Sequence, residues 1–313
     1  MGVPLTEWLE LLKNEYLDSF IPGGGSAVRI LVVPQERMEA VTSNIAKEAS
    51  AKNFLVAKID SGKRRVDKIE NIFYETAAQI DWDALVDKWT RQTFTERGIL
   101  VEDYTPLSDH QTIAERNFID KGDLLRQIRR IIQNTIYKDK TLTREFRTAI
   151  TTLSYGLIDP QDITPSHADL VKMWLKGEKC SLAELKKLGI FQKISRHNAR
   201  PLLVDLGKWV RSAGYQGLVL ILDFQAPLMK LRVEESPVRY SISNVKDCYE
   251  VLRQFIDDTD KMCNLLIIII APPTLLTEPN RGLDIYTALK QRTYEDVKAR
   301  ERENPLNMLV HLE

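Results

Sequence analysis

Four short, almost wholly apolar runs constrain this chain more than anything else in it. They are residues 28–33 (VRILVV), 54–59 (FLVAKI), 218–222 (LVLIL) and 265–270 (LLIIII). Each is too short for a buried helix, and none alternates apolar with polar residues. A strand apolar on both sides has to be covered on both faces, which is the condition of strands in a parallel sheet. Residues 308–312 offer a fifth strand. Helical patterns lie between the runs: 36–52, 66–80, and 244–262, where Val245, Cys248, Val251, Leu252, Phe255 and Ile256 recur at helical spacing. Strands alternating with helices predict an α/β fold.

The stretch from 83 to 180 breaks the alternation. It holds helical patterns such as 124–137 and no buried-strand run, with Pro106, Asp109, Pro160 and Pro165 as punctuation near its edges. The expected organisation is a first half of the sheet domain over 1–82, a helical insertion over 83–180, and the second half over 181–313. Trp82, Trp89, Trp174 and Trp209 fall inside amphipathic patterns and read as core.

Lys plus Arg and Asp plus Glu are equal at 44 each, so no global field draws the chain to nucleic acid or membrane; any such contact must be a local patch. The three cysteines (Cys180, Cys248, Cys263) and four scattered histidines give neither a disulfide framework nor a metal-ligand spacing, and no metal is expected. The longest apolar run is far short of the roughly 20 residues that cross a bilayer. The acidic residues Glu7, Glu10, Glu15 and Asp18 argue against a signal peptide, so the expected location is cytoplasmic.

Gly23-Gly24-Gly25 invites comparison with a phosphate loop, but such a loop follows a strand and opens a helix. These glycines precede the first strand and read as a turn. After that strand comes Pro34-Gln35-Glu36-Arg37-Met38-Glu39-Ala40, with one cation, two carboxylates and a proline that lacks an N–H. The second candidate, Ser61-Gly62-Lys63-Arg64, has a Gly-Lys pair, but Ala57 stands where the first glycine belongs and Arg64 where a magnesium-binding hydroxyl belongs. Run 218–222 ends in Asp223, the form of a Walker B strand whose carboxylate holds magnesium. The next residue, usually the glutamate that activates water, is Phe224.

Residues 181–190 (SLAELKKLGI), Asn198-Ala199-Arg200 and 206–223 (LGKWVRSAGYQGLVLILD) resemble the ATP-binding domain family of BREX phage-defence systems, P-loop NTPases of the AAA+/ASCE type. The likeness continues through 249–257 (YEVLRQFID), Pro279-Asn280-Arg281-Gly282 and 286–292 (YTALKQR), and returns faintly at 45–56 (IAKEASAKNFLV). It implies a P-loop NTPase-like parallel sheet flanked by helices, with the helical insertion between the second and third core strands. Family members typically carry GxxGxGKT after the first strand, Glu after the Walker B Asp, Gly-Thr or Gly-Ser after the fourth strand, and a helical lid. Here the corresponding residues are 34–40, Phe224 and Ala271-Pro272-Pro273, and no lid is expected; only Asp223 matches.

The resemblance therefore implies a catalytically degenerate ATPase-like subunit, a scaffold or regulator in a phage-defence or DNA-processing complex. No cofactor is expected, because the motifs do not support ATP with magnesium. The expected partner is a protein, either an active ATPase paralogue or a second copy of the chain. The alternatives are an active or nucleotide-gated ATPase with an atypical loop, with Asp223, Arg37 and Lys63 as its weak nucleotide and magnesium set, or a nucleic-acid-binding module on the same fold. Arg281 and Arg292 match arginines of the family's last block and are candidate trans-acting fingers. Arg126, Arg129, Arg130, Lys138, Lys140, Arg144 and Arg147, with Tyr137 and Phe146 among them, form a basic stretch that is either a DNA or RNA contact or a solvated helical face.

Overall fold

The computed structural model describes residues 2–160, 165–229, 238–293 and 303–313. Its contacts divide the chain into two compact units: Met1–Thr76, Leu206–Arg211 and Tyr215–Glu313 form one, Ala77–Asp205 and Ser212–Gly214 the other.

The first unit is built on five parallel strands: β1 (Ser26–Val32), β2 (Leu55–Asp60), β3 (Leu218–Asp223), β4 (Leu265–Ala271) and β5 (Leu309–His311), in the spatial order β2-β3-β4-β1-β5. All four long apolar runs and the fifth candidate become strands of this one sheet. Every residue of β4 is buried, as are the first five of β3. Each such Leu, Ile or Val side chain contributes about 1.5–3 kcal/mol of transfer free energy. Register aligns the strand starts, pairing Leu55 with Leu218, Leu218 with Leu265, and Leu265 with Ser26, so the carboxyl ends form a level rim.

One face of the sheet, including Ala27, Leu31, Ile221, Ile268 and Ile270, is covered by α1 (Leu5–Leu11), its π-type continuation Leu12–Phe20, and α2 (Met38–Ala51). The N-terminal helix buries Trp8, Leu12, Tyr16 and Leu17, although it lies outside the strand–helix alternation that the sequence displays. Gly23-Gly24-Gly25 closes it: Gly23 N–H bonds Ser19 O, Gly25 N–H bonds Phe20 O, and Gly24 takes a positive φ of 99°. The glycines are therefore a helix-ending turn before β1.

The same unit contains α3 (Ile69–Ala78, its last residues assigned to the other unit), α11 (Ile242–Asp257), α12 (Thr274–Thr277) and α13 (Thr287–Thr293). The other unit is helical: α4 (Trp82–Glu96), α5 (His110–Arg116), α6 (Lys121–Ile132), α7 (Arg144–Ile158), α8 (His167–Lys176) and α9 (Leu182–Lys187), with α10 (Ala199–Ser212) falling partly in each. Asp81, Asp109, Asp120, Thr143, Ser166 and Ser181 cap these helices through side-chain oxygens, each accepting an N–H of the first turn. No described helix is long and apolar enough to cross a membrane.

Candidate functional site

In an open parallel sheet, ligands meet the chain at the carboxyl ends of the strands, where adjacent connections diverge. Here β1 leads into α2 toward the β2 edge, while its neighbour β4 leads the other way, toward β5. The rim above β1, β3 and β4 is therefore where a nucleotide would bind.

The loop after β1 does not form a triphosphate cradle. Pro34 donates nothing, and residues 35–37 wind into a single 3₁₀ turn before α2. Val33 N–H bonds Ala271 O at 2.9 Å, Arg37 N–H returns to Pro34 O, and Met38 N–H returns to Gln35 O. Within residues 34–38 the N–H groups of Gln35 and Glu36 remain for an anion, and Glu36 brings its own carboxylate. Arg37 is exposed and makes no ion pair among the described residues.

After β2 the chain is closed by Asp60. Its Oδ1 accepts Gly62 N–H at 2.8 Å, its carbonyl accepts Lys63 and Arg64 N–H, and its Oδ2 lies 3.4 Å from Lys63 Nζ. Ser61 is fully buried, its hydroxyl accepting Ala226 N–H at 3.2 Å. Tyr240 fastens this turn from above: its hydroxyl donates to Ser61 O at 2.9 Å and accepts Val66 N–H at 3.0 Å. Burial pushes that phenol well above its ordinary value. The Gly62-Lys63 pair is thus an aspartate-closed turn, with Lys63 held toward Asp60.

Asp223 ends β3 in register with Asp60 on β2, so two carboxylates occupy neighbouring positions on the rim. Asp223 Oδ1 accepts Gln225 N–H at 2.7 Å. Burial raises its pKa, the negative charge of Asp60 adds to the rise, and the Gln225 N–H opposes it. The motifs pointed to Asp223 and Lys63; the member they missed is Asp60, because its place beside Asp223 depends on strand order. Among the described residues, no group of three or more His, Cys, Asp or Glu is placed to share a metal ion.

Phe224 points into the core. It is 0% exposed, and its ring lies 5.6 Å from that of Tyr249, which in turn lies 6.2 Å from that of Tyr286. Beyond β4, Pro272 and Pro273 lead into α12, offering no hydroxyl and no N–H. The residues at this rim therefore do not fit magnesium triphosphate in the usual cradle-and-carboxylate manner.

The two candidate finger arginines are engaged within the chain. Arg281 donates to Pro227 O at 3.0 Å and Tyr240 O at 2.9 Å, while its own carbonyl accepts the Tyr249 hydroxyl at 2.6 Å. Arg292 holds Asp257 with two N–H groups and Ala288 O with a third. Next to it, Arg253 grips Glu250 bidentately at 2.6 and 2.8 Å, and Tyr286 donates to the same carboxylate. These bonds, Arg253's foremost, hold the Glu250 pKa down at about 2.

The basic stretch of the helical unit divides. Arg126 pairs with Asp123 and Lys138 bonds Asn134 Oδ1, while Arg129, Arg130 and Lys140 are exposed. Arg144 stacks over the Phe191 ring at 5.0 Å, and Arg147 donates to Tyr137 O at 2.8 Å.

No curated protein and no solved structure matches the chain. A family model described as BREX system ATP-binding protein BrxC/D matches residues 41–313, from within α2 through β5, so that β1 and the turn after it precede the matched residues. The match covers most of the chain, which therefore belongs to the family of BREX system ATP-binding proteins BrxC/D.

Proposed function

We propose that this chain is a non-hydrolysing member of its family, a scaffold or regulatory subunit in a BREX phage-defence complex. The observation that carries the reading is Phe224. The residue after the rim aspartate is an aromatic ring sealed against Tyr249, which can neither accept a proton nor orient water. The closed 3₁₀ turn after β1 and the Asp60-closed turn after β2 support it, because the first leaves a phosphate few N–H groups beside the Glu36 carboxylate and the second turns those of Gly62, Lys63 and Arg64 onto Asp60. In this role the sheet presents surfaces to a protein partner, an active ATPase paralogue or a second copy of the chain. A trans-acting role for Arg281 or Arg292 would first have to break their internal bonds.

One observation favours a second reading. Asp60, Asp223 and Lys63 gather on one stretch of rim, which suits a magnesium-linked nucleotide that is bound without being cleaved. Calorimetric titration with ATP and magnesium, beside Asp223→Ala and a phosphate-release assay, separates the two. A scaffold gives no heat up to millimolar ATP and no phosphate. Micromolar binding that disappears in Asp223→Ala would make the chain a nucleotide-gated switch, and steady phosphate release would overturn both.

A further inference from the structure

Two cavities in the helical unit, about 440 and 320 Å³, adjoin at Thr152 and Leu188, which line both, and lie in sequence along α7 as a trough. Its floor is a single face of α7. Arg144, Arg147, Thr148, Thr151, Thr152 and Tyr155 follow one another at three- and four-residue spacing, while Phe146, Ala149, Ile150 and Leu153 on the opposite face are buried. From Arg144 to Tyr155 this face is about 16 Å long. Arg129 lines one end, and Tyr137 with the Leu188–Gly189 turn lines the other.

Three features mark the trough as built for an anion. The smaller cavity contains two arginines and no carboxylate in its lining; Glu145, on the same helix, is bonded to Gln192. Both guanidinium groups are positioned in advance, Arg144 by stacking on Phe191 and Arg147 by the carbonyl of Tyr137. Two buried polar atoms of the floor, Arg147 Nε and Thr151 Oγ1, have no hydrogen-bond partner among the described residues. The threonine is unusual here. Thr76, Thr90, Thr95, Thr135 and Thr152 each bond the carbonyl four residues back in their helices, and Thr151 does not. A buried donor without an acceptor is costly, and a ligand oxygen that displaces the side chains covering these two atoms would supply the acceptor both lack.

We infer that this trough binds single-stranded nucleic acid. Its phosphates meet Arg144, Arg147 and Thr151, and its bases lie against Tyr137 and Tyr155. An elongated basic groove with aromatic side chains is the arrangement that suits an unpaired strand. Tyr137 and Tyr155 beside the arginines offer faces for unpaired bases, which a duplex keeps stacked in its interior. At the acidic end, Asp169 is occupied by Ser166 and Lys172, which leaves Asp159 facing Arg129. This assignment holds whether or not the sheet binds nucleotide, since every residue it uses belongs to the helical unit.

Fluorescence anisotropy with a labelled, mixed-sequence DNA strand about 20 nucleotides long tests it, alongside the same sequence as a duplex. The strand should bind with steep salt dependence, more tightly than the duplex. Arg144→Gln with Arg147→Gln should weaken binding by more than about tenfold and flatten the log–log salt slope by about 1.4, the share of two phosphates on a single strand. Thr151→Val, which keeps every charge, should weaken binding with the slope unchanged. Arg97→Gln, an exposed arginine of the same unit that does not line the trough, should leave affinity near wild type; circular dichroism melts confirm that each variant is folded. Equal affinity for the duplex, displacement by millimolar ATP, or an unchanged constant in a folded double variant would each overturn the assignment.

Discussion

Asp223 is a carboxylate that the fold tolerates at a cost. Burial and the neighbouring Asp60 raise its pKa, so the folded chain binds a proton at this site more readily than the unfolded chain does. Its contribution to stability is therefore most favourable below the ordinary carboxylate value of 3.8 and is lost as pH rises through the raised folded value. Asp223→Asn keeps an oxygen for the Gln225 N–H and removes the charge. It should raise the melting temperature at pH 7, and the gain should shrink to nothing as pH falls toward 4, which thermal melts of both proteins across that range would read. A variant less stable at pH 7 would mean that the charge is bound by something on the rim beyond Gln225. Residue-level reading of the sequence places Asp223 at the end of a strand with Phe224 after it, because that much is local. It could not see that Tyr240 clasps Ser61 and Val66, or that Arg281 is held by the carbonyls of Pro227 and Tyr240, because these bonds join positions 41 to 179 residues apart.

Among the elements, the strands were legible because both of their faces are buried, which leaves a run of aliphatic residues and little else. The helix ahead of β1 was harder to read. It buries only one stripe, Trp8, Leu12, Tyr16 and Leu17, among charged residues and beside no strand, so the alternation gives no cue to it. The α11–α13 junction is held by polar contacts that periodicity does not reveal: Glu250, Arg253 and Asp257 on α11 meet Tyr286 just ahead of α13 and Arg292 on it. Glu250 ionises far below its ordinary 4.5, at about 2, so its support for the fold is complete above about pH 5 and is lost as pH falls through that interval. Glu250→Gln should therefore melt earlier than wild type at pH 7, with the two curves converging between pH 4.5 and 2. A difference that persists unchanged to the acid limit would assign the effect to packing.

At the scale of the molecule, a net charge of zero gives the chain as a whole no long-range claim on a polyanion, so any such recognition has to be local. The sheet unit draws its stability from the middle outward. β1, β3 and β4 each have strands on both sides, whereas β2 and the three-residue β5 are edges. Native-state hydrogen exchange should find the slowest amides in β3, β4 and β1, with β2 and β5 opening at lower free energy. Slowest exchange in β5 instead would mean that the single bridge from Val3 to Leu312 protects that edge as well as a full strand would. The sheet was foreseen from its runs, but its strand order was not, and that order is what sets Asp60 beside Asp223 on the rim.

The aromatic stack behind the rim closes a mutational path. Replacing Phe224 with an acid would drive a carboxylate into a fully buried space against Tyr249, and burying an unpaired charge costs several kcal/mol. Room for an acid would have to be made first, by reducing Tyr249, whose hydroxyl also holds Arg281 O. Each single step lowers fitness for folding before a second can offer anything in return. The rim therefore sits on the far side of a valley that one substitution does not cross.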